Sequence, residues 1–147
     1  RIMGLDDPAK KMSKSAENPN NYIALLDSPE TIKEKIKTAV TDSGSEIKYD
    51  TENKPAISNL LLIYSLFSGK PITVLEKEYA GKNYSIFKKE LAETIINGLS
   101  PIQKKYKELS ANPDYVKKVL RQGAEKAKTI ASQTIKEVRA KIGFLEL

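Results

Sequence analysis

From Phe87 to Leu109 the apolar residues Phe87, Leu91, Ile95, Leu99, Ile102, Tyr106 and Leu109 recur every three or four positions. That spacing lays side chains along one face of an α-helix, and a stripe this long excludes a strand, whose period is two. A second stripe follows the helix-opening pair Asn112-Pro113 and runs through Val116, Val119, Leu120, Ala124, Ala127, Ile130, Ala131, Ile135, Val138 and Ile142, and that helix is expected to bury this side. Ser100-Pro101-Ile102-Gln103 resembles a helix start inside the first stripe. The stripe keeps phase across Gly98 and Pro101, so the reading is one kinked helix rather than two.

Upstream the pattern is also helical. Ser28-Pro29 places a capping hydroxyl before a proline, and Ile32, Ile36 and Ala39 follow at helical spacing. Pro55 opens a segment that is apolar on most of its surface, which suits a central core helix ending at Ser68-Gly69. Ile72, Leu75 and Tyr79 mark a short helix. The sequence therefore predicts helices over 29–40, 55–68, 72–80, 84–110 and 113–142. Only residues 1–5 and 22–26 read as strand, and residues 41–54 as a polar connection. The expected class is mainly α: a helical bundle preceded by a short α/β remnant.

The charge is uneven. Of the net +6, residues 113–147 carry +4. At helical rotation, Lys117, Lys118, Arg121, Lys128, Lys136 and Arg139 gather on one arc beside the apolar stripe of the last helix. Lys117, Arg121, Lys128 and Arg139 project within a narrower arc about 40° wide. An ordered basic stripe suits an anionic partner, most simply RNA; the plainer reading is a solvated lysine-rich face. The chain has no cysteine and no histidine. Disulfides, thiol or imidazole metal ligands and imidazole acid–base chemistry are excluded for it, and no protein-bound metal is expected. The longest apolar run, Leu60 to Tyr64, is far too short to span a membrane, and no membrane partner is expected. No leader pattern follows Arg1, and the expectation is that the numbering starts inside a longer polypeptide.

The sharpest local feature is Lys11-Met12-Ser13-Lys14-Ser15 on the polar, mobile-looking stretch 8–20. Two ammonium groups three residues apart, with hydroxyls and loop amides between and after them, suit a polyphosphate. Lysines aimed at a leaving pyrophosphate accelerate nucleotidyl transfer if they hold its growing charge better than they hold ground-state ATP. A generic Lys-x-Ser-Lys string is more often a solvated loop. For these five letters chance occurrence in a chain this long is of order one in ten thousand.

These five residues match the KMSKS signature of class I aminoacyl-tRNA synthetases. Arg1-Ile2-Met3-Gly4-Leu5, Glu17-Asn18-Pro19-Asn20, Ala39-Val40-Thr41-Asp42-Ser43, Asn53 to Leu61, Pro101-Ile102-Gln103 and Gly123 to Ala127 extend the likeness. Together they resemble the C-terminal portion of the bacterial-type tryptophanyl-tRNA synthetase family across essentially the whole chain. The resemblance implies that Lys11 and Lys14 contact the ATP phosphates and the departing pyrophosphate, with Met12, Ser13 and Ser15 completing the loop. It implies that Ile2 packs beside the adenine, although a plain core isoleucine is as good a reading. It divides the chain into residues 1–27, the end of a nucleotide-binding (Rossmann-like) fold with the loop, and 28–147, a helical domain facing the anticodon side of tRNA.

The implied function is ATP-dependent activation of tryptophan to its adenylate and transfer to tRNA(Trp), with Mg2+ accompanying ATP, by a cytoplasmic homodimer. The HIGH-type motif and the indole pocket belong to the N-terminal half of that family and are not found here, so this polypeptide alone is expected to be inactive. Gly4 stands where the family often has serine, and Ala56 where it often has glycine. The alternative is a non-catalytic helical RNA-binding or interaction module that kept a synthetase-like loop.

Overall fold

The computed structural model describes residues 1–144; the last three residues of the expected 28–147 domain lie outside the described residues. Among the described residues, five α-helices follow a single 3-10 turn at Pro19–Asn21: α1 Pro29–Thr38, α2 Pro55–Ser68, α3 Ile72–Glu78, α4 Tyr84–Ser110 and α5 Pro113–Ile142. The chain is mainly α, as the periodicity requires. Proline opens α1, α2 and α5, where its missing N–H costs nothing. Ser28 and Asn112 cap α1 and α5 by accepting from the amides of Thr31 and Tyr115.

The chain divides into two compact units, Arg1–Gln103 and Lys104–Leu147. In the first unit α2 is the central element: Ile57, Leu60, Leu61 and Ile63 are buried with Ile32 and Ile36 of α1, Leu75 of α3 and Phe87, Leu91 and Ile95 of α4. Gly98 lets a neighbour come close, since a Cβ there would lie 2.5 Å from the Phe67 ring. α4 is one helix with Pro101 inside it, not two. Pro101 removes one donor from the ladder without ending it.

The connection 41–54 is fastened by side chains instead of by regular structure. Tyr84 donates to Asp42 at 2.7 Å and to the Glu46 carbonyl at 3.1 Å, and Lys54 pairs with Asp42 at 3.5 Å. Burial and then the adjacent Asp42 carboxylate push the Tyr84 phenol above the ordinary range, so it stays a donor. Lys88, partly buried, donates to the carbonyls of Lys37 and Ala39 at 3.1 and 2.6 Å, closing the C-terminus of α1. That burial lowers its pKa.

Two expectations need correction. No strand forms among the described residues; the 1–5 segment makes only an isolated antiparallel bridge, Met3 to Lys11. Tyr22 is extended and Leu25 and Leu26 form a turn closed by Asp27, whose carboxylate accepts from the Ala24 amide at 2.9 Å. A strand needs a neighbouring ladder, and a side chain supplies the partner here. The second concerns α5. It keeps the amphipathic pattern, yet none of its residues is buried, and Leu120, Ile130 and Ile142 are among its exposed apolar groups. Periodicity reports a face that can be covered, not that something covers it.

Candidate functional site

The Lys11–Ser15 segment lies on the returning arm of a short loop. Gly4 donates to the Lys10 carbonyl at 2.8 Å and Met12 to the Ile2 carbonyl at 3.1 Å, so the two arms run antiparallel. The outgoing arm is held on its other side, with Leu5 donating to the Asn21 carbonyl at 2.9 Å and Val40 to the Leu5 carbonyl at 2.8 Å. Asp7 closes the turn by accepting from the Ala9 amide at 3.0 Å and pairing with Lys10 at 3.1 Å. The Ala9 amide, with Lys10 next, holds the exposed Asp7 carboxyl below its ordinary pKa.

Within the loop, the Ser13 and Ser15 hydroxyls lie 3.0 Å apart, and the Ala16 amide donates to the Ser13 carbonyl at 3.1 Å. This local turn exposes the side chains of Lys11 and Lys14 to solvent. Neither lysine is paired with a carboxylate among the described residues, whereas neighbouring Lys10 is committed to Asp7. Two free ammonium groups on a turn bounded by hydroxyls and amides present donors to a ligand with several anionic oxygens. Met12 and Ile2 are partly buried and pack against the core, so the apolar residues anchor what the lysines display.

Two residues that sequence reasoning did not single out as functional fix this loop. Asn59 is a buried amide in the middle of apolar α2. Its Oδ1 accepts from the Met3 amide at 2.9 Å and its Nδ2 donates to the Met3 carbonyl at 2.9 Å. The side chain thus stands in for a neighbouring strand at the residue that bridges to Lys11. The available signal was a lone amide in an otherwise apolar helix. The other is Asn21, buried beside Gly4, whose Oδ1 accepts from the Ser13 amide at 3.0 Å. Its signal was a run of asparagines just past the loop.

A groove of about 280 Å³ opens beside the loop and is lined by Arg1, Met3, Pro8, Tyr49 and Asn59 among others. A larger one, about 500 Å³, lies between α1 and α4 with Lys33, Lys37, Lys88 and Lys89 on its walls, and it shares no residue with the loop. Gln103 of α4 donates to the carbonyls of Leu25 and Asp27 at 2.9 and 3.0 Å, tying that helix to the turn that follows the loop. In the second unit, Lys117, Arg121, Lys128 and Arg139 are all exposed on α5. Lys117 is 4.0 Å from Asp114. Among the described residues no group of three or more acidic, cysteine or histidine side chains is arranged to hold a metal ion. No single described helix is long and apolar enough to cross a membrane.

Comparison with known proteins returns relatives of one kind. Two curated relatives are a tryptophan–tRNA ligase of Caldanaerobacter subterraneus subsp. tengcongensis, 52% identical over 99% of this chain, and one of Bacillus anthracis, 49% identical over 98%. The chain spans 44% of the length of each. Among solved structures, tryptophanyl-tRNA synthetase from Mycoplasma pneumoniae superposes with a TM-score of 0.82 at 32% identity, covering 99% of this chain and 46% of that one. The Campylobacter jejuni enzyme complexed with ADP and tryptophane gives 0.73 at 34% identity, covering 97% of this chain and 43% of that one. These likenesses favour the synthetase reading over a separate RNA-binding module. Residues 1–100, which hold the loop, its asparagine clamps and the core behind them, match the family described as tRNA synthetases class I (W and Y), and the chain belongs to that family.

Proposed function

We propose that this chain is the C-terminal part of a tryptophan–tRNA ligase. The full-length polypeptide activates tryptophan with ATP and transfers it to tRNA(Trp). In the first step a tryptophan carboxylate oxygen attacks the α-phosphorus of ATP, the bond to the bridging oxygen breaks, and pyrophosphate leaves with its electron pair. Lys11 and Lys14 meet the charge that accumulates on that leaving group, with Ser13, Ser15 and the turn amides as neutral donors. Met12 and Ile2 brace the loop, and Ile2 backs the adenine. Mg2+ arrives with ATP. The indole pocket and the remaining catalytic signature belong to the upstream half, so residues 1–27 finish a nucleotide-binding fold and residues 28–147 form the tRNA-facing helical domain. A homodimer in the cytoplasm fits this reading.

The observation that carries it is the pair of unpaired, exposed lysines on a turn whose backbone is pinned from both sides. Tryptophan-dependent exchange of labelled pyrophosphate into ATP by the full-length polypeptide tests it. Exchange with tryptophan and none with the other amino acids is the expected result. No exchange in a folded full-length preparation would defeat the proposal.

The basic arc of α5 supplies the tRNA contact. Lysine and arginine on phosphates set position without reading bases, and the counterions they release make binding salt-dependent. Reversing Arg121 and Lys128 to glutamate is expected to weaken tRNA(Trp) binding by at least tenfold at low salt and to flatten the salt dependence by about one to two contacts. Filter binding across a salt series measures both, and unchanged affinity at low salt would move the contact elsewhere.

A further inference from the structure

Gly4 has no side chain, and the space one would occupy is taken. A Cβ built there would lie 2.2 Å from Asn21 Nδ2 and 3.1 Å from its Cγ. From this seat Asn21, 6% exposed, reaches both arms of the loop. Its Nδ2 donates to Asp6 Oδ1, its Oδ1 accepts from the Ser13 amide at 3.0 Å, and its carbonyl accepts from Leu5 at 2.9 Å. The second oxygen of Asp6 accepts from Asn18 Nδ2 at 2.7 Å, and Asn18 Oδ1 accepts from the Asn20 amide at 3.0 Å. One carboxylate and two asparagines therefore join the residue before the loop, the middle of the Lys11–Ser15 segment and the turn after it. Ser13 lies between the two lysines, so the amide Asn21 holds lies in the stretch of backbone from which both ammonium groups project.

We infer that Asn21, seated in the space left open at Gly4, is a positioning residue that sets where Lys11 and Lys14 stand toward the phosphates. This rests on the proposed reading of the loop. It is a property of the pair: any side chain at position 4 displaces the Asn21 amide, because a separation of 2.2 Å is far inside van der Waals contact. Serine, frequent at this position in the family the chain resembles, would require the Asn21 Nδ2 to move from this seat.

The test is a double-mutant cycle in the full-length polypeptide: Gly4→Ser, Asn21→Ala and the two combined, with Lys14→Ala alongside. Asn21→Ala is expected to lower the rate of pyrophosphate exchange about tenfold, the size of one well-placed hydrogen bond. The KM for tryptophan should stay within about twofold. Gly4→Ser should cost at least as much. The combined variant should match Asn21→Ala alone instead of multiplying the two losses, because the collision is gone. Hydrogen exchange at the Ser13 amide gives a readout apart from activity, and Asn21→Ala should accelerate it at least tenfold while core amides of α2 stay protected. Multiplicative losses in the cycle, or Asn21→Ala with unaltered rate and unaltered Ser13 exchange, would overturn the inference. A rate lost in Lys14→Ala but kept in Asn21→Ala removes the positioning role and leaves the loop reading standing. A rate kept in Lys14→Ala removes both.

Discussion

Alanine at position 14 in the full-length polypeptide is expected to slow adenylate formation by about a hundred- to a thousandfold, the usual loss when one preorganised donor to a developing charge is removed. Tryptophan affinity should change by less than about twofold, because the proposed role of Lys14 is toward the leaving pyrophosphate and not the amino acid. The side chain is exposed and pairs with no carboxylate among the described residues, so its removal leaves no buried group behind. Stability should hold within about 0.5 kcal/mol. Single-turnover adenylate formation together with calorimetric tryptophan binding separates the two effects. Equal losses in both would mean that Lys14 contributes uniform binding instead of transition-state stabilisation. Lys10 is the internal control: its ammonium is held by Asp7 at 3.1 Å, and Lys10→Ala should lose far less rate.

What the sequence disclosed, and what it withheld, divides along the range of the interactions. The helices were legible because their signals are local: a stripe at three- and four-residue spacing, and caps such as Ser28-Pro29 and Asn112-Pro113 that satisfy amides within one turn. The Lys11–Ser15 segment stood out because its chemistry is contiguous. The strands expected at 1–5 and 22–26 failed because β-pairing is decided by a partner elsewhere. Here α2 supplies an asparagine side chain at Met3, and Asp27 closes the second segment as a turn. Asn59 is 56 residues from Met3, and nothing within its own helix shows that its amide faces another backbone. The Gly4–Asn21 fit is hidden for a similar reason: the departure from serine at position 4 was visible, but what fills the vacated space was not. Burial of α5 was over-read, because an apolar stripe is necessary for packing and does not supply the element packed against.

The largest stability effect expected is at Phe87. Its ring is fully buried and meets Tyr79 edge-on at 5.1 Å and Tyr64 at 5.7 Å. The three rings come from α2, the residue closing α3, and α4, so this cluster is where those helices interlock. The tyrosine hydroxyls cannot give way to fill a void. Tyr64 and Tyr79 share a hydrogen bond of 2.8 Å, and Tyr79 donates onward to Glu90. Burial, followed by the Glu90 carboxylate, raises the Tyr79 phenol well above its ordinary range, which keeps that donor in place at any physiological pH. A site fixed by hydrogen bonds on two sides collapses little, so Phe87→Ala is expected to cost about 3–5 kcal/mol, the upper part of the range for large-to-small changes. Phe87→Leu, which keeps most of the volume, should cost about half as much or less. Ile102→Ala, at an exposed position further along the same helix, should be within about 0.5 kcal/mol of neutral.

Urea unfolding of the full-length polypeptide, followed by tyrosine fluorescence, ranks the three variants. The consequence reaches the loop, because the helix that loses its packing is joined through the cluster to α2, and α2 carries Asn59 against Met3. Pyrophosphate exchange by Phe87→Ala should therefore fall off at a lower urea concentration than in the parent protein, in step with unfolding. A loss below about 1 kcal/mol for Phe87→Ala would contradict the interlocked cluster. Exchange that persisted after the tyrosine signal had melted would show that the loop is held without α2.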